Sequence, residues 1–271
     1  MSDEAVLFDL TDGVATLTLN RPSTRNAITD EIADGVMESL DRIEGEIEED
    51  DDTDVRCLVI EGTEGSFSAG GDVNSMMEGL SGLAEPYQKA NYVVQKTSRM
   101  MERVANFYLP TVAKIDGIAF GAGANLAIAC DIQLASEDAG IGFGFNQVGL
   151  GVDTGTSYLL PRVVGINKAK ELVFTGKLLD SEEAEDIGLF NHVYDTDGFE
   201  EEVEEFVGEI AAGPTVGLMA SKKTLNQAFE QSLHQAMVNE ASAQIAAFES
   251  DDHQEGAHAF MEGRDPDFEG E

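Results

Sequence analysis

Residues 5–20 alternate apolar and polar positions on both sides of a Thr11-Asp12-Gly13 turn, VLFDL before it and VATLTLN after it. Period-two alternation around an Asp-Gly step predicts a β-hairpin, which Arg21-Pro22 ends. From about Asp30 the period changes. Ile32, Val36, Leu40, Ile43 and Ile47 recur at steps of four, four, three and four, predicting a helix with one apolar stripe and Thr29 as N-cap. The acidic run Glu48–Asp54 reads as a solvated loop, and Cys57–Gly62 (CLVIEG) as a short buried strand. Residues 73–106 read as mostly helical, with a break near Gly79–Pro86. Thr111–Ile115 and Ile132–Ala135 read as strands, and GAGA opens the helix NLAIACD between them. Gly155–Val164 and Asn167–Thr175 are predicted helices, Ser181 caps a short helix ending at Gly188, and LFNHVYD is the last strand. Everything after Asp197 is predicted helical, over 197–212, 215–229, 231–249 and 251–262, with breaks at Gly213-Pro214, Ser232 and Ser250.

Strand–helix alternation followed by helices alone implies an α/β core with a helical extension. The division falls at residues 1–195 for the core and 196–271 for the helical region, which packs back or reaches a neighbouring subunit. Composition narrows the function. The chain has 271 residues, 53 acidic and 16 basic, for a net charge of −37. Such a surface repels phosphate backbones and anionic bilayers, so nucleic-acid and membrane partners are excluded. With 42% hydrophobic residues in periodic segments, the chain is not read as disordered. The acids are spread along the chain, and no loop has cation-binding spacing. The charge is therefore read as the whole-surface acidity of a halophilic protein, screened in molar salt, where the Debye length is about 3 Å. The acidic N-terminus lacks a signal-peptide core, and no apolar run is long enough to span a bilayer. Cys57 and Cys130 lie in apolar stretches and read as buried cytoplasmic thiols. No cysteine or histidine spacing suggests a metal site, and His192, His234, His253 and His258 read as surface or packing residues.

Two segments carry candidate chemistry. Phe67-Ser68-Ala69-Gly70-Gly71-Asp72 follows a strand, and Ile115–Asn125 (IDGIAFGAGAN) leads from a strand into a helix. Both put bare backbone at a helix entrance, where N–H groups and the helix dipole face developing negative charge. Close helix–strand packing selects the same small residues, so that reading stays open. Neither segment fits a dinucleotide or P-loop spacing.

FSAGGD, DGIAFGAGANLAIACD, VGLGVDTGTSYLLPRVVG and EGAHAFMEGRDPDF, in that order, resemble the crotonase (enoyl-CoA hydratase/isomerase) superfamily, as does RPSTRNAI at Arg21–Ile28. The pattern looks most like the ring-1,2-epoxyphenylacetyl-CoA isomerase branch. The resemblance implies an α/β spiral of ββα units, a helical C-terminus that trimerises, and a homotrimer or hexamer. It implies an acyl-CoA substrate and no further cofactor. Its oxyanion donors would be the amides of Ser68 (or Ala69) and Ala122. Ser68, Ala69, Gly70, Gly71, Asp72, Gly121, Ala122, Asn125 and Gln147 would line the substrate site. Arg25, Lys222 and Lys223 are the candidate CoA contacts, or ordinary surface charges.

The departures matter for chemistry. Hydratases of the family carry two glutamates, and this chain has Asn125 and Gln147 in those places. An amide has no useful basic site near neutral pH, so two-glutamate water addition is not supported. Asn125 binds substrate or caps its helix. Asp153, in GLGVDTG, matches the aspartate that carries the proton in isomerase branches; alternatively it caps the following helix. One carboxylate with an oxyanion hole suffices to move a proton between carbons. Asp72 and Asp131 read as caps or turn formers. Met76, Met77, Phe143 and Phe145 are candidates for an adaptable acyl pocket, or core. An isomerase is the favoured reading; a hydratase and a non-catalytic acyl-CoA-binding protein are the alternatives.

Overall fold

The computed structural model describes residues 4–45, 55–72 and 86–271. The expectations for Glu48–Asp54, for Met76 and Met77, and for the start of the break near Gly79 lie outside the described residues. The hairpin forms with Thr11 opposite Val14, between β1 (Val6–Thr11) and β2 (Val14–Leu19). Ala15, Leu17 and Leu19 of β2 point into the core and the positions between them are half-buried, as the period of two requires. Parallel strands β3 (Cys57–Gly62) and β4 (Thr111–Ile115) follow. Then come β5 (Ile118–Phe120), β6 (Ile132–Ser136), β7 (Gly140–Gly142), β8 (Leu178–Asp180) and β9 (His192–Tyr194). The main sheet has the order β1-β2-β3-β4-β6-β9, and β5-β7-β8 form a smaller sheet.

The two sheets are one spiral. After β3 the chain turns and Ser68 bridges to Ala119; after β4 it turns into β5; after β6 it turns into β7, which pairs with β5. Each turn of the spiral is a long strand, a short one and a helical segment. The short strands β5, β7 and β8 are absent from the sequence expectation. Each has three residues, and Gly140-Ile141-Gly142 offers no alternation to detect. They exist because the corner after each long strand brings backbone groups into pairing distance.

Helix α1 (Asp30–Gly45) buries Ile32, Val36, Leu40 and Ile43, with Thr29 Oγ1 accepting from Ile32 N–H at 3.4 Å. Helix α2 (Pro86–Val93) passes through a π turn at Val94–Ser98 into α3 (Arg99–Ala105), which Arg103 ties to Asp41 and Glu44 of α1. Helix α4 (Ala122–Ala129) is buried along its whole length, with Asn125 its one polar side chain, as a helix apolar nearly all round must be. It begins at Ala122, within the small-residue segment. Helices α5 (Thr156–Val164), α6 (Ile166–Thr175) and α7 (Ser181–Asp186) follow. The cap of α7 is Asp180, which accepts from Glu183 N–H at 2.9 Å; Ser181 instead donates its hydroxyl to Glu137 O.

Of the C-terminal helices, α8 (Phe199–Ala211) lays Phe199, Val203, Val207 and Ala211 on the far face of the main sheet, against Cys57, Val59, Val112 and Leu134. Helices α9 (Thr215–Asn226), α10 (Leu233–Glu249) and α11 (Asp251–Glu262) complete the chain. Arg56 straps this region to β3: Nη2 donates to Gly213 O at 2.9 Å and Phe268 O at 3.0 Å, and Nε to Thr215 Oγ1 at 3.1 Å. Cys57 and Cys130 are buried free thiols. Burial, with Asp131 nearby, pushes the Cys57 thiol up to about 12 and the Cys130 thiol higher still, which leaves both unreactive.

Lys222 is a correction to the sequence reading. It is 9% exposed, and its ammonium sits 2.6 Å from Asp131 Oδ2 and 2.8 Å from Leu109 O. The same carboxylate accepts from Thr111 N–H and Oγ1. A lysine so engaged holds α9 to the sheet, its charge committed to Asp131. Replacing it with methionine leaves the Asp131 carboxylate uncompensated. Lys222→Met is expected to lower the unfolding free energy by about 3 kcal/mol, read from urea denaturation at fixed salt. A loss below about 1 kcal/mol, the range of exposed pairs, would contradict a structural role.

Candidate active site

The two Gly-rich turns lock together before they form a site. Ser68 N–H donates to Ile118 O at 3.0 Å, and Phe120 N–H returns to Ser68 O at 2.9 Å. Buried Asn26 supports the first turn: Nδ2 donates to Ser66 O at 2.7 Å, Oδ1 accepts from Arg21 N–H at 2.8 Å, and its carbonyl accepts from Ser68 Oγ at 2.7 Å. The approach leaves no room for side chains. A Cβ on Gly123 would lie 2.4 Å from Ser68 O, and one on Gly70, at φ +94°, would lie 2.5 Å from Phe120 O.

This ladder decides which amides are available. Ser68 N–H and Ala69 N–H are both occupied, the latter by Arg25 O at 2.9 Å, and Gly70 N–H approaches Ser68 Oγ at 3.3 Å. Ser68 is also fully buried. The expectation that Ser68 or Ala69 donates to an oxyanion is therefore corrected. Gly71 N–H has no acceptor among the described residues, and neither does Ala122 N–H at the start of α4. Both residues line a cleft of about 440 Å³, together with Ala69, Asp72 and Gly121. The sequence shows a glycine-rich turn but not which of its N–H groups the neighbouring strand consumes.

Asp153 lines the same cleft. The residue is solvent-accessible overall, yet loss of water around the carboxyl raises its pKa above the ordinary carboxylate value, opposed by a hydrogen bond from Thr154 Oγ1 at 3.2 Å. The carboxyl does not cap α5, whose N-cap is Gly155 with no side-chain bond. Asn125 does not cap α4 either. It is fully buried; Nδ2 donates to Thr154 Oγ1 at 2.6 Å and Asp153 O at 3.2 Å, and Oδ1 accepts from Thr156 Oγ1 at 2.8 Å. Thr154 and Thr156 escaped the sequence reading. The available signal was a β-branched residue between Asp153 and Gly155, where the chain must turn sharply.

Gln147 lines the cleft while its Nε2 donates to Gly176 O at 2.8 Å. Phe145 lines it too, as do Val93 and Thr97 beside the π turn, a common site for such bulges. Phe143 is 1% exposed and belongs to the core. Arg25 is exposed and does not itself line the cleft, though its carbonyl accepts from the N–H of the lining residue Ala69. Lys223 is exposed on α9 and does not line the cleft. Among the described residues the charged lining is acidic, from Asp30 and Glu31 in the first turn of α1, Asp72, and Asp153. A larger groove of about 690 Å³, between the end of α4 and helices α8 and α9, contains the Lys222–Asp131 pair and neither turn.

The sequence profile of enoyl-CoA hydratase/isomerase matches residues 9–271. The chain belongs to the enoyl-CoA hydratase/isomerase family. It is 33% identical over 267 residues to the 1,2-epoxyphenylacetyl-CoA isomerase of Escherichia coli K12, covering 98% of this chain and 99% of that one. It is 32% identical over 271 residues to the crotonyl-CoA hydratase of Syntrophomonas wolfei, covering 99% of each. The crystal structure of an enoyl-CoA hydratase/isomerase from Cupriavidus metallidurans CH34 superposes with a TM-score of 0.89 at 30% identity, covering 100% of this chain and 98% of that chain. The spiral of ββα units is thus the crotonase fold, and the chain is an acyl-CoA enzyme of this family.

The raised Asp153 pKa has a thermodynamic sign. The folded state holds this proton more tightly than the unfolded chain, so the group's contribution to stability falls as pH rises between the two pKa values. Asp153→Asn is expected to be more stable than wild type above that window. Below the unfolded pKa it loses that advantage. Unfolding free energies of both proteins across pH 3–8 would test this; an Asn variant that is less stable at neutral pH would contradict it.

Proposed function

We propose that this family member moves a proton within an acyl-CoA thioester, with Asp153 as carrier and the N–H groups of Gly71 and Ala122 holding the oxyanion. One observation carries the reading. Asp153 lines the cleft that also contains both unoccupied amides, its carboxyl pKa raised by partial loss of water, while Asn125 and Gln147, read from the sequence resemblance as the places of the family glutamates, hold amides. Desolvation makes Asp153 a stronger base than a free carboxylate. It takes a proton from a carbon activated by the thioester. The carbonyl oxygen gains charge between the two N–H groups, with the N-terminus of α4 behind one of them. Returning the proton to a different carbon moves the double bond.

The identity to a 1,2-epoxyphenylacetyl-CoA isomerase favours isomerisation or rearrangement. Hydration, with Asp153 activating water, is the second reading, favoured by the similarity to a crotonyl-CoA hydratase. The acidic lining contributed by the described residues bears on CoA, itself a polyanion. Arg25, bonded through its carbonyl to the lining residue Ala69, is the candidate contact; Lys223, on α9, is the weaker one. The homotrimer or hexamer is supported by α10, which exposes Leu233, Met237, Val238, Ile245 and Phe248 and has no buried residue. We assign the protein to the cytoplasm of a cell with a high-salt interior, on its charge of −37.

The test is a set of unsaturated and ring-epoxide CoA thioesters offered to wild type and Asp153→Asn in molar KCl. Turnover in the variant is expected to fall by about 10²–10⁴-fold, with acyl-CoA binding retained. Full activity would remove Asp153 from the mechanism. Loss of crotonyl-CoA absorbance, matched by formation of the 3-hydroxy product, would establish hydration instead. Binding without turnover of any thioester would leave a non-catalytic protein. Acyl-CoA affinity is expected to rise with KCl as like charges are screened, and a steady fall would contradict the acidic-cleft argument.

A further inference from the structure

We propose that Thr154 is a positioning residue for Asp153, its hydroxyl relaying a hydrogen bond whose direction is set by the amide of Asn125. The proposal rests on Asp153 being the proton carrier. Four of its observations are independent of that role. Thr154 is 5% exposed. Its backbone is left-handed, at φ +46°. Among the described non-glycine residues with positive φ it is the one β-branched side chain, a conformation that costs strain and persists only where the surroundings enforce it. Its hydroxyl lies between Asn125 Nδ2 at 2.6 Å and Asp153 Oδ1 at 3.2 Å.

The direction follows from counting protons. A hydroxyl has one proton to donate. Asn125 Nδ2 presents a hydrogen to Thr154 Oγ1, so that oxygen accepts and its own proton is left for Asp153. The amide cannot be reversed without conflict. Asp153 O, 3.2 Å from Nδ2, only accepts, and so would an amide oxygen placed there. Thr156 Oγ1 lies 2.8 Å from Asn125 Oδ1 and fits either orientation, so the contact with Asp153 O is what fixes the amide. The same hydroxyl lies 2.9 Å from Asp153 O, and Thr156 N–H donates to that carbonyl at 3.0 Å.

A carboxylate at position 125 would accept from Thr154 and turn its proton away from Asp153. Asn125 is thus matched to a base at 153, as the group that polarises the relay. Among the described residues the charged groups lining the cleft with Asp153 are Asp30 and Glu31 from α1 and Asp72 from the turn after β3, all acidic. Among the described residues Thr154 is the one hydrogen-bond donor to the Asp153 carboxyl. Its loss should leave the carboxylate form disfavoured by desolvation alone.

Thr154→Val keeps the shape and removes the hydroxyl; Thr154→Ser keeps the hydroxyl. Isomerisation of a 3-enoyl-CoA to the conjugated 2-enoyl-CoA gives kcat and KM across pH. The Val variant is expected to lose about ten-fold in kcat, as for one hydrogen bond to a charged group. Its acid limb should move to higher pH and KM should stay within about two-fold, while the Ser variant restores both limb and rate. Thr154→Ala carries the same expectation and replaces Val if that variant does not fold. The readout that needs no turnover is unfolding free energy against pH, compared with the matching Asp153→Asn background, where loss of the hydroxyl should move the Asp153 titration upward. A wild-type limb, rate and titration in both Val and Ala variants would overturn the proposal. Full activity of Asp153→Asn would instead overturn the reading of Asp153, so the two failures are distinct.

Discussion

Everything at the site depends on how closely two stretches of backbone approach. The Ser68–Ala119 bridge brings one turn against the other, and the Ser68 carbonyl then faces the first turn of α4 at a distance only a glycine at 123 allows. The approach is held by backbone hydrogen bonds and backed by a helix buried along its whole length, apolar except for Asn125. Such packing tolerates little displacement. Two amides, Gly71 and Ala122, are left unpaired where the turns meet. Both line the cleft, Gly71 half-buried, where an incoming acceptor can reach them.

The scaffold was legible where burial sets a period. The hairpin, the stripe on α1 and the apolar runs of β3, β4 and β6 all have cores on known sides, and those elements lie where the pattern puts them. The short strands were illegible because their pairing follows from corners made elsewhere in the chain. The site was half legible. Ala122 and Asp153 stand in the cleft, because a small residue at a helix start and a carboxylate at a turn leave traces in sequence. Which amide of the first turn stays unoccupied was not legible, since five consecutive amides differ only in what the neighbouring backbone accepts from them. Lys222 did leave a trace: it lies four residues after Leu218 and seven after Thr215, on the inward face of α9, with Lys223 one step outside it.

Charge and chemistry are separated in space. The surface is acidic almost everywhere, yet the Asp153 carboxyl takes its shift from lost water and one hydroxyl, with no cation involved. The few buried or half-buried cations are committed to structure, Lys222 to Asp131 and Arg103 to α1. An acidic coat of this kind alters solubility and encounter with other anions without altering the local terms that tune the base.

The strap at Arg56 has a consequence for the order of assembly. Its partners lie 157 to 212 residues further along the chain. A residue at the start of an early strand therefore waits for nearly the whole polypeptide before its donors are satisfied. Contacts of such long sequence separation close slowly and late. The spiral of strands can form while the C-terminal helices are still unplaced, and the far face of the main sheet, with Cys57 and Val59 on it, stays uncovered until they dock. For a chain emerging from a ribosome, that apolar face is the surface a chaperone would meet.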